Sequence, residues 1–586
     1  MNGPRSRAAE DRTNVVTSYA RLEEIAKKLM REGLVTFRTM TGNLPPATDE
    51  LTWLRRFEAL NGRKLRVLHV GNIANNAYLA AKFLRRVGVD ADVMCNDYYH
   101  IMANPEWEEL EITRDWHDDN RPRFSSEDIG DYKRPRWFAQ GPVKLCALYL
   151  MARRRGDTQA IETLWNSLEA AQADRLTAAE LRELTAAFDY DQLAHRSAKR
   201  GLRPIAAWAL KIPYEFASRV YRAIVATLMV SGFEKAAAVL ARIVANRRQK
   251  FDSPSYMPHF ETLIDEFSSL FPSRGDKLVM ADLMPYVPFV DACEPLFACY
   301  DIVQGYALEP ILPLICGKRP YTTFEHGTLR VFLREGHFVH RVTSLAYRKA
   351  DHVFITNGDC VEHARWLGVK EGNMSGTLHP TDIDQHEARN DAAIAALRSH
   401  YGADILLFCP LRHDWEIKGT DVHIRALPHI LQQIPRRVIL LLSPWGLQIE
   451  DSRDLIKELR CQGEVIWLER PLCRLSLVRH LQAADVVLDQ MALPCFGGTA
   501  PQALAAGTPV VMSYRPESTN SIVSEPAPIL SAFTPNDVAN AVVTALDPTW
   551  RSNFKVRARS WTYTQHHHDR VVSDHLKAYR RILERG

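Results

Sequence analysis

DQMALPCFGGTAPQALAAGTPVV, residues 489–511, sets Gly497 and Gly498 side by side, then Thr499, then an alanine-rich stretch ending in Gly-Thr-Pro-Val-Val. The residues leading into it, DVVLD (485–489), form a short apolar run of strand type. Strand, glycine loop, helix and returning strand in so short a span make one unit of a parallel α/β sheet. The loop after such a strand faces the ligand crevice. The helix behind it offers unpaired N–H groups and the positive end of its dipole. Without side chains, Gly497 and Gly498 would let an anion approach, and phosphate or diphosphate is the natural occupant. A tight strand–helix turn explains a glycine pair equally well, so a second observation is needed.

CPLRHDWEIKGTD (409–421) supplies it. Arg412 follows the apolar strand ILLFCP (405–410), and Lys418 stands just before a helix starting near Gly419–Thr420. Arg can grip a diphosphate through two parallel bonds, and Lys adds a mobile point charge. Alone, this is an ordinary solvated loop. Together with the glycine loop of the same α/β series, it favours a diphosphate site.

Further strands, VILLLSP (438–444) and EVIWL (464–468), complete a C-terminal domain. In the first half, KLRVLHVGNIANNAYLAAKFLRRVGVDADVM (64–94) reads as a β-α-β opening, and alternation resumes from Lys277 with KLVMADLM read as a strand. Helical spacing dominates between. NMSGTLHPTDIDQHEARN (373–390) reads as a linker. The expected organisation is an N-terminal extension (1–60), a Rossmann-like domain (61–380) with a helical insertion at about 120–270, and a second Rossmann-like domain (381–550). C-terminal helices (551–586), able to cross back to the first domain, close the chain. The fold class is therefore α/β, two doubly wound domains facing a cleft.

At 586 residues the chain exceeds one ordinary core. A net charge of +4 does not argue for nucleic acid. Ten scattered cysteines without a C-x-x-C pair argue for a reducing compartment, and a cytoplasmic location is expected. Met1–Asn14 lacks the apolar run of a secretory signal, and no uncharged stretch approaches bilayer length.

These motifs resemble a GT-B glycosyltransferase of the retaining family 4 type. The family's Arg…Lys-Gly pair is matched by Arg412 and Lys418-Gly419, and its F-G-x-x-x-x-E-A-x-A-x-G-x-P-V segment by Phe496 to Val510. FEHG (324–327) resembles the family's His loop, and GNIANNAY (71–78) its first cleft loop. The resemblance implies a nucleotide-diphosphate sugar as donor substrate, no cofactor and no metal, and transfer with retention to a hydroxyl of a glycan, lipid-linked or small-molecule acceptor. It implies catalytic roles for His326, Arg412 and Lys418, and donor contacts from Gly71, Asn72, Gly497, Gly498, Thr499 and Gln502. Two positions depart from the pattern. Gln502 and Pro494 stand where the family usually has glutamates. A glutamine bonds a ribose diol without charge assistance. The departures leave open an inactive GT-B-like binding or scaffold protein, and the fold also serves nucleotide-sugar epimerases.

Three other features invite function. Residues 195–250 hold twelve Lys/Arg against Glu215 and Glu234, with Phe216, Val220, Ile224 and Leu228 at helical spacing. Such a segment can lie on an anionic membrane, here the inner face, or pack internally with a solvated basic side. His566-His567-His568 suggests a metal, but adjacent histidines on a helix cannot face one ion, so a helix-entry segment is expected. EWEELEITRDWHDD (106–119) could pair carboxylates for hydrolysis, but no partner motif supports this and a solvated loop is expected.

Overall fold

The computed structural model describes residues 48–96, 100–112, 129–172, 256–331 and 335–585, and these build two wholly parallel sheets. The first contains β1 (Arg66–Val70), β2 (Asp90–Asn96), β3 (Phe138–Gly141), β4 (Ile302–Tyr306), β5 (Tyr321–Phe324), β6 (His352–Ile355) and β7 (Met374–Gly376). Its order is β3-β2-β1-β4-β5-β6-β7. The second contains β8 (Ile405–Cys409), β9 (Val438–Leu442), β10 (Val465–Trp467), β11 (Val486–Leu488), β12 (Val510–Met512) and β13 (Leu530–Ser531). Its order is β10-β9-β8-β11-β12-β13. In each sheet the opening strand lies between its second and fourth, so the winding reverses at β1/β4 and at β8/β11. That reversal splays the neighbouring loops and opens a crevice at the strands' carboxyl ends. The expected class, two doubly wound α/β domains, is borne out.

Runs such as ILLFC and VILLL form strands because helices cover both faces of the sheet, so every position is buried. Alternation across β1 divides the first core. Leu68 and Val70 face the helices Val143–Arg155, Thr158–Gln172 and Met257–Leu270. Val67 faces the other side, with Phe83, Leu576 and Tyr579.

Leu576 and Tyr579 belong to the last helix, His568–Leu583, which lies on the first sheet. A buried polar network fixes its register. His575 Nδ1 donates to the Val571 carbonyl (2.8 Å), which leaves Nε2 bare to accept from Gln304 Nε2 (3.1 Å). Gln304 also donates to the Tyr306 hydroxyl (2.9 Å) and accepts from Thr322 Oγ1 (3.1 Å) and Tyr579 (2.8 Å). The Tyr306 hydroxyl then donates to His69 Nδ1 (2.8 Å). Gln304 is thus fully satisfied, and a helix docked one turn away would strand these groups without partners.

Three sequence readings need correction. The 120–270 insertion is not purely helical, because β3 lies inside it and pairs with β2. Its four residues are too short to show a period. KLVMADLM is not a strand; Met280–Leu283 is a helical turn, where Asp282 accepts from the Val279 N–H (3.0 Å) and pairs with Arg341. The linker read at 373–390 starts later, since Met374–Gly376 is β7, paired with β6. Residues 195–250 lie outside the described residues. Among the described residues no helix is long and apolar enough to cross a membrane.

Candidate functional site

The loops after β8 and β11 are pressed together. Gly419 precedes the helix Thr420–Gln433 with φ +64°, and a Cβ there would lie 2.9 Å from Met491 Cβ and 3.0 Å from Ala492 N. Only glycine serves both demands. The Met491 N–H donates to the Lys418 carbonyl across this contact (2.7 Å). Lys418 Nζ donates to Gln490 Oε1 (2.7 Å), so the ammonium is held at the end of β11. Next to it, Asp489 is buried. One of its oxygens accepts from the Ala500 N–H (3.0 Å) and the other from the Gln490 N–H (2.8 Å). Burial pushes the Asp489 carboxyl up and the Lys418 ammonium down, and their mutual attraction opposes both shifts. Arg412 pairs with Asp414 (3.0 Å), while its Nε is buried without a partner.

Gly497 and Gly498 lie between Cys495, whose carbonyl accepts from Gln490 Nε2, and Ala500, whose N–H bonds Asp489, just before the helix Thr499–Ala505. Gly498 has φ −77°, and Gly497 also lies outside the left-handed region. A Cβ on Gly497 would meet nothing within 4 Å. The turn itself therefore does not require glycine at 497, and the space before it is open. Gln502 is 8% exposed, and its Oε1 accepts from Arg474 Nη1 (2.6 Å). Since a guanidinium only donates, the amide is fixed with oxygen toward Arg474. Its Nε2 is then turned toward Gly498.

On the opposite domain, Gly71 has φ +85°, and a Cβ there would lie 2.7 Å from Glu309 Cγ. The loops after β1 and β4 therefore also touch at the winding reversal. Asn72 is buried in the loop after β1. It is 0% exposed, donates to Asn75 Oδ1 and the Ala103 carbonyl (both 2.8 Å), and accepts from the Tyr78 N–H (2.9 Å). Its side chain clamps the loop, with both amide hydrogens and the oxygen bonded inside the domain. His326 follows β5. Its ring lies 5.3 Å from that of His379, and Nε2 is buried without a partner. Burial, then the nearby His379, holds its pKa well below the ordinary histidine value, so the ring is neutral.

Sequence reasoning missed the residues that join the domains here. Arg330 lies four positions after His326 and pairs with Asp359 (Nη2 to Oδ1, 2.6 Å). Its Nη2 is also 3.8 Å from Cys495 Sγ in the glycine loop of the other domain. The position of a cation just after the EHG loop was the available signal. The acidic run gave none, because its meaning depends on distant arginines. It is not a solvated loop in its described part. Glu106 and Glu108 are buried in the helix Pro105–Glu109. Glu106 pairs with Arg134 (2.8 Å), and Glu108 pairs through both oxygens with Arg474 (2.9 and 3.0 Å).

The three histidines separate by role. His566 ends a π-helical turn and meets Thr381 Oγ1 (3.1 Å), whereas His567 is an extended N-cap. His567, His568 and Asp569 have ligand-type atoms within 4.8 Å of one another. The rings of Phe83, His568, His567 and Tyr563 follow one another at 4.5, 4.0 and 4.6 Å, the first pair stacked and the others tilted, an aromatic join between the crossing helix and the first domain.

No protein-family model matches the chain. Among curated proteins, D-inositol 3-phosphate glycosyltransferase of Kineococcus radiotolerans is 32% identical over 129 residues, covering 20% of this chain and 29% of the relative. The protein of the same name from Nocardiopsis dassonvillei is 26% identical over 245 residues, covering 40% of this chain and 56% of the relative. The chain thus matches less than two thirds of either relative's length. Of solved structures, Anabaena HepE in complex with UDP-glucose is 17% identical at a TM-score of 0.43, over 56% of this chain and 96% of that one. A glycosyltransferase from Rickettsia africae is 9% identical at 0.45, over 89% and 100%.

Proposed function

We propose that the crevice binds a nucleotide-diphosphate sugar and passes the sugar to an acceptor hydroxyl with retention of configuration. The observation that carries this reading is the Lys418 ammonium, held by Gln490 where two loops meet, beside open space at Gly497. In this reading the C1–O bond to the diphosphate breaks while the acceptor oxygen bonds C1 from the same face. The departing phosphate oxygen takes the acceptor's proton. Lys418 and Arg412 meet the charge that develops on the leaving group, in a setting where little reorganisation is needed. His326, being neutral, would bond a sugar hydroxyl rather than supply charge. The stretch of 32% identity to a D-inositol 3-phosphate glycosyltransferase supports the reaction class.

A second reading is a cleft that binds nucleotide without turnover. It is favoured by Gln502, whose oxygen is already committed to Arg474. Incubation with a panel of UDP-, GDP-, ADP- and TDP-sugars separates the two. Free nucleotide released from at least one donor, and lost in Lys418→Ala, supports transfer. Nucleotide binding with no release from any donor supports the second reading.

A further inference from the structure

We propose a second ligand site, outside the crevice, in the groove between the helix Thr48–Asn61 and the last helix, His568–Leu583. Its ligand is a phosphate monoester that also carries hydroxyl groups. The site shares no residue with the crevice and stands independently of the donor reading.

The groove has a volume of about 360 Å³, within the range of small-molecule sites, and is lined by Glu50, Lys577, Arg580, Arg581, Glu584 and Arg585. Arg580 and Glu584 pair with each other (3.0 Å). Among the described residues the other two guanidiniums meet neutral groups only. Arg581 Nη2 donates to His352 Nδ1, and Arg585 Nη1 donates to Asn373 Oδ1 (2.9 Å). Arg581 Nε is buried without a partner. Burial, then the charge of Arg585, lowers the Arg581 pKa, and no carboxylate is among the groups acting on it. The guanidinium is also held in place. Because His352 Nδ1 accepts from Arg581, the ring proton lies on Nε2, which donates to Ser375 Oγ (2.8 Å). Arg581 is therefore anchored to β6 and β7, unlike a free surface arm. Lys577, exposed on the last helix, adds a mobile charge.

Glu50 brings the opposite demand. It is 7% exposed, and its Oε2 is buried without a partner. A carboxylate accepts, so a hydroxyl or N–H of the ligand would satisfy it. A bare anion on Arg581 and Arg585 would leave Glu50 unpaired. An ester with its phosphate on the two guanidiniums and a hydroxyl on Glu50 serves both walls at once. A free sugar phosphate and a phosphorylated inositol headgroup of a lipid both carry this chemistry. His352 is the first residue of β6, so the groove lies at the amino ends of the strands, opposite the crevice.

Calorimetric titration of the full-length chain with fructose 6-phosphate, inorganic phosphate and fructose, at constant ionic strength, tests this. The wild type should bind the ester about tenfold more tightly than phosphate. Arg581→Gln should bind the ester at least about tenfold more weakly, whereas a merely structural Arg581 would move the melting temperature and not the affinity. Glu50→Gln should keep its phosphate binding and lose the preference for the ester; a preference left unchanged overturns the role of Glu50. If Arg581→Gln does not fold, Lys577→Gln decides. Binding about two- to fivefold weaker supports the proposal, and unchanged affinity overturns it. Ester affinity lost in Lys418→Ala and kept in Arg581→Gln places the phosphate in the crevice and overturns the proposal, as does a wild type that binds no ester in either form tested. Sedimentation with phosphatidylcholine vesicles carrying phosphatidylinositol 4-phosphate separates the two sources. Vesicle binding that is lost in Arg581→Gln assigns the ester to a lipid headgroup, and binding of fructose 6-phosphate alone assigns it to a soluble molecule.

Discussion

The loops after β8 and β11 and the seam between the domains are built on different principles. In the loops, half-buried cations are held by one or two bonds beside open space. In the seam, charges and rings are buried and paired across the whole chain, as Glu108 is with Arg474 and Gln304 with His575. A site that must exchange a charged ligand cannot afford to satisfy its cations permanently. A seam that must stay assembled cannot leave them unsatisfied. The lesson is a division of labour: changes in the loops should cost chemistry and spare the fold, and changes in the seam should do the reverse.

The strongest expected effect is on the seam and needs no mutation. Burial pushes His379 and His386 down to about 4 and His566 to about 3. Unfolded, each would titrate near the ordinary value, so between pH 6.5 and 4 the unfolded chain binds more protons. Stability is therefore lost as pH falls through that window, by about 1.4 kcal/mol per unit for each histidine. Asp574, pushed up to about 6 by burial, works the other way and favours the folded state on acidification between about 6 and 4. These three histidines set against Asp574 account for a net loss of about 4 kcal/mol between pH 6.5 and 5, and His352, His413, His423, His480, His568 and His575, likewise pushed down to about 3 or 4 by burial, add to it, so urea unfolding free energies should fall by more than that. A flat profile would mean that the seam is not sealed against water.

Glu108→Ala leaves Arg474 buried and unpaired, and should cost about 3–5 kcal/mol in denaturant unfolding. Lys418→Ala sharpens the contrast. It should lower transfer about 100- to 1000-fold while costing only about 1–2 kcal/mol of stability, since Asp489 loses its counter-charge but keeps two backbone N–H donors. The smallest change is Gly497→Ala. Its Cβ enters open space in the free protein, so stability should hold within about 0.5 kcal/mol. UDP affinity measured by calorimetry should nevertheless fall about tenfold, because the methyl group occupies the ligand's approach.

Much of the loop chemistry was legible because it is local. Lys418 and Gly419 are adjacent, and the glycine pair directly precedes its helix, so spacing alone placed them on strand-end turns. The doubly wound class was legible for the same reason, since apolar runs such as ILLFC recur at helix-length intervals. What stayed hidden depends on partners far along the chain. Glu108 looks like one of many acidic residues until Arg474 arrives from 366 positions away. Asn72 sits in a motif that suggests ligand contact, yet its amide is spent on Ala103 and Asn75. The strands β3 and β7 were missed because four and three residues carry no measurable period.

The central claim is that a diphosphate sits where the loops after β8 and β11 meet. Calorimetric titration of UDP, GDP, ADP and pyrophosphate into the wild type and into Lys418→Ala tests it most directly. The account predicts that at least one of these binds the wild type and binds Lys418→Ala at least about tenfold more weakly, with the fold intact. Equal affinity in the two proteins would contradict it.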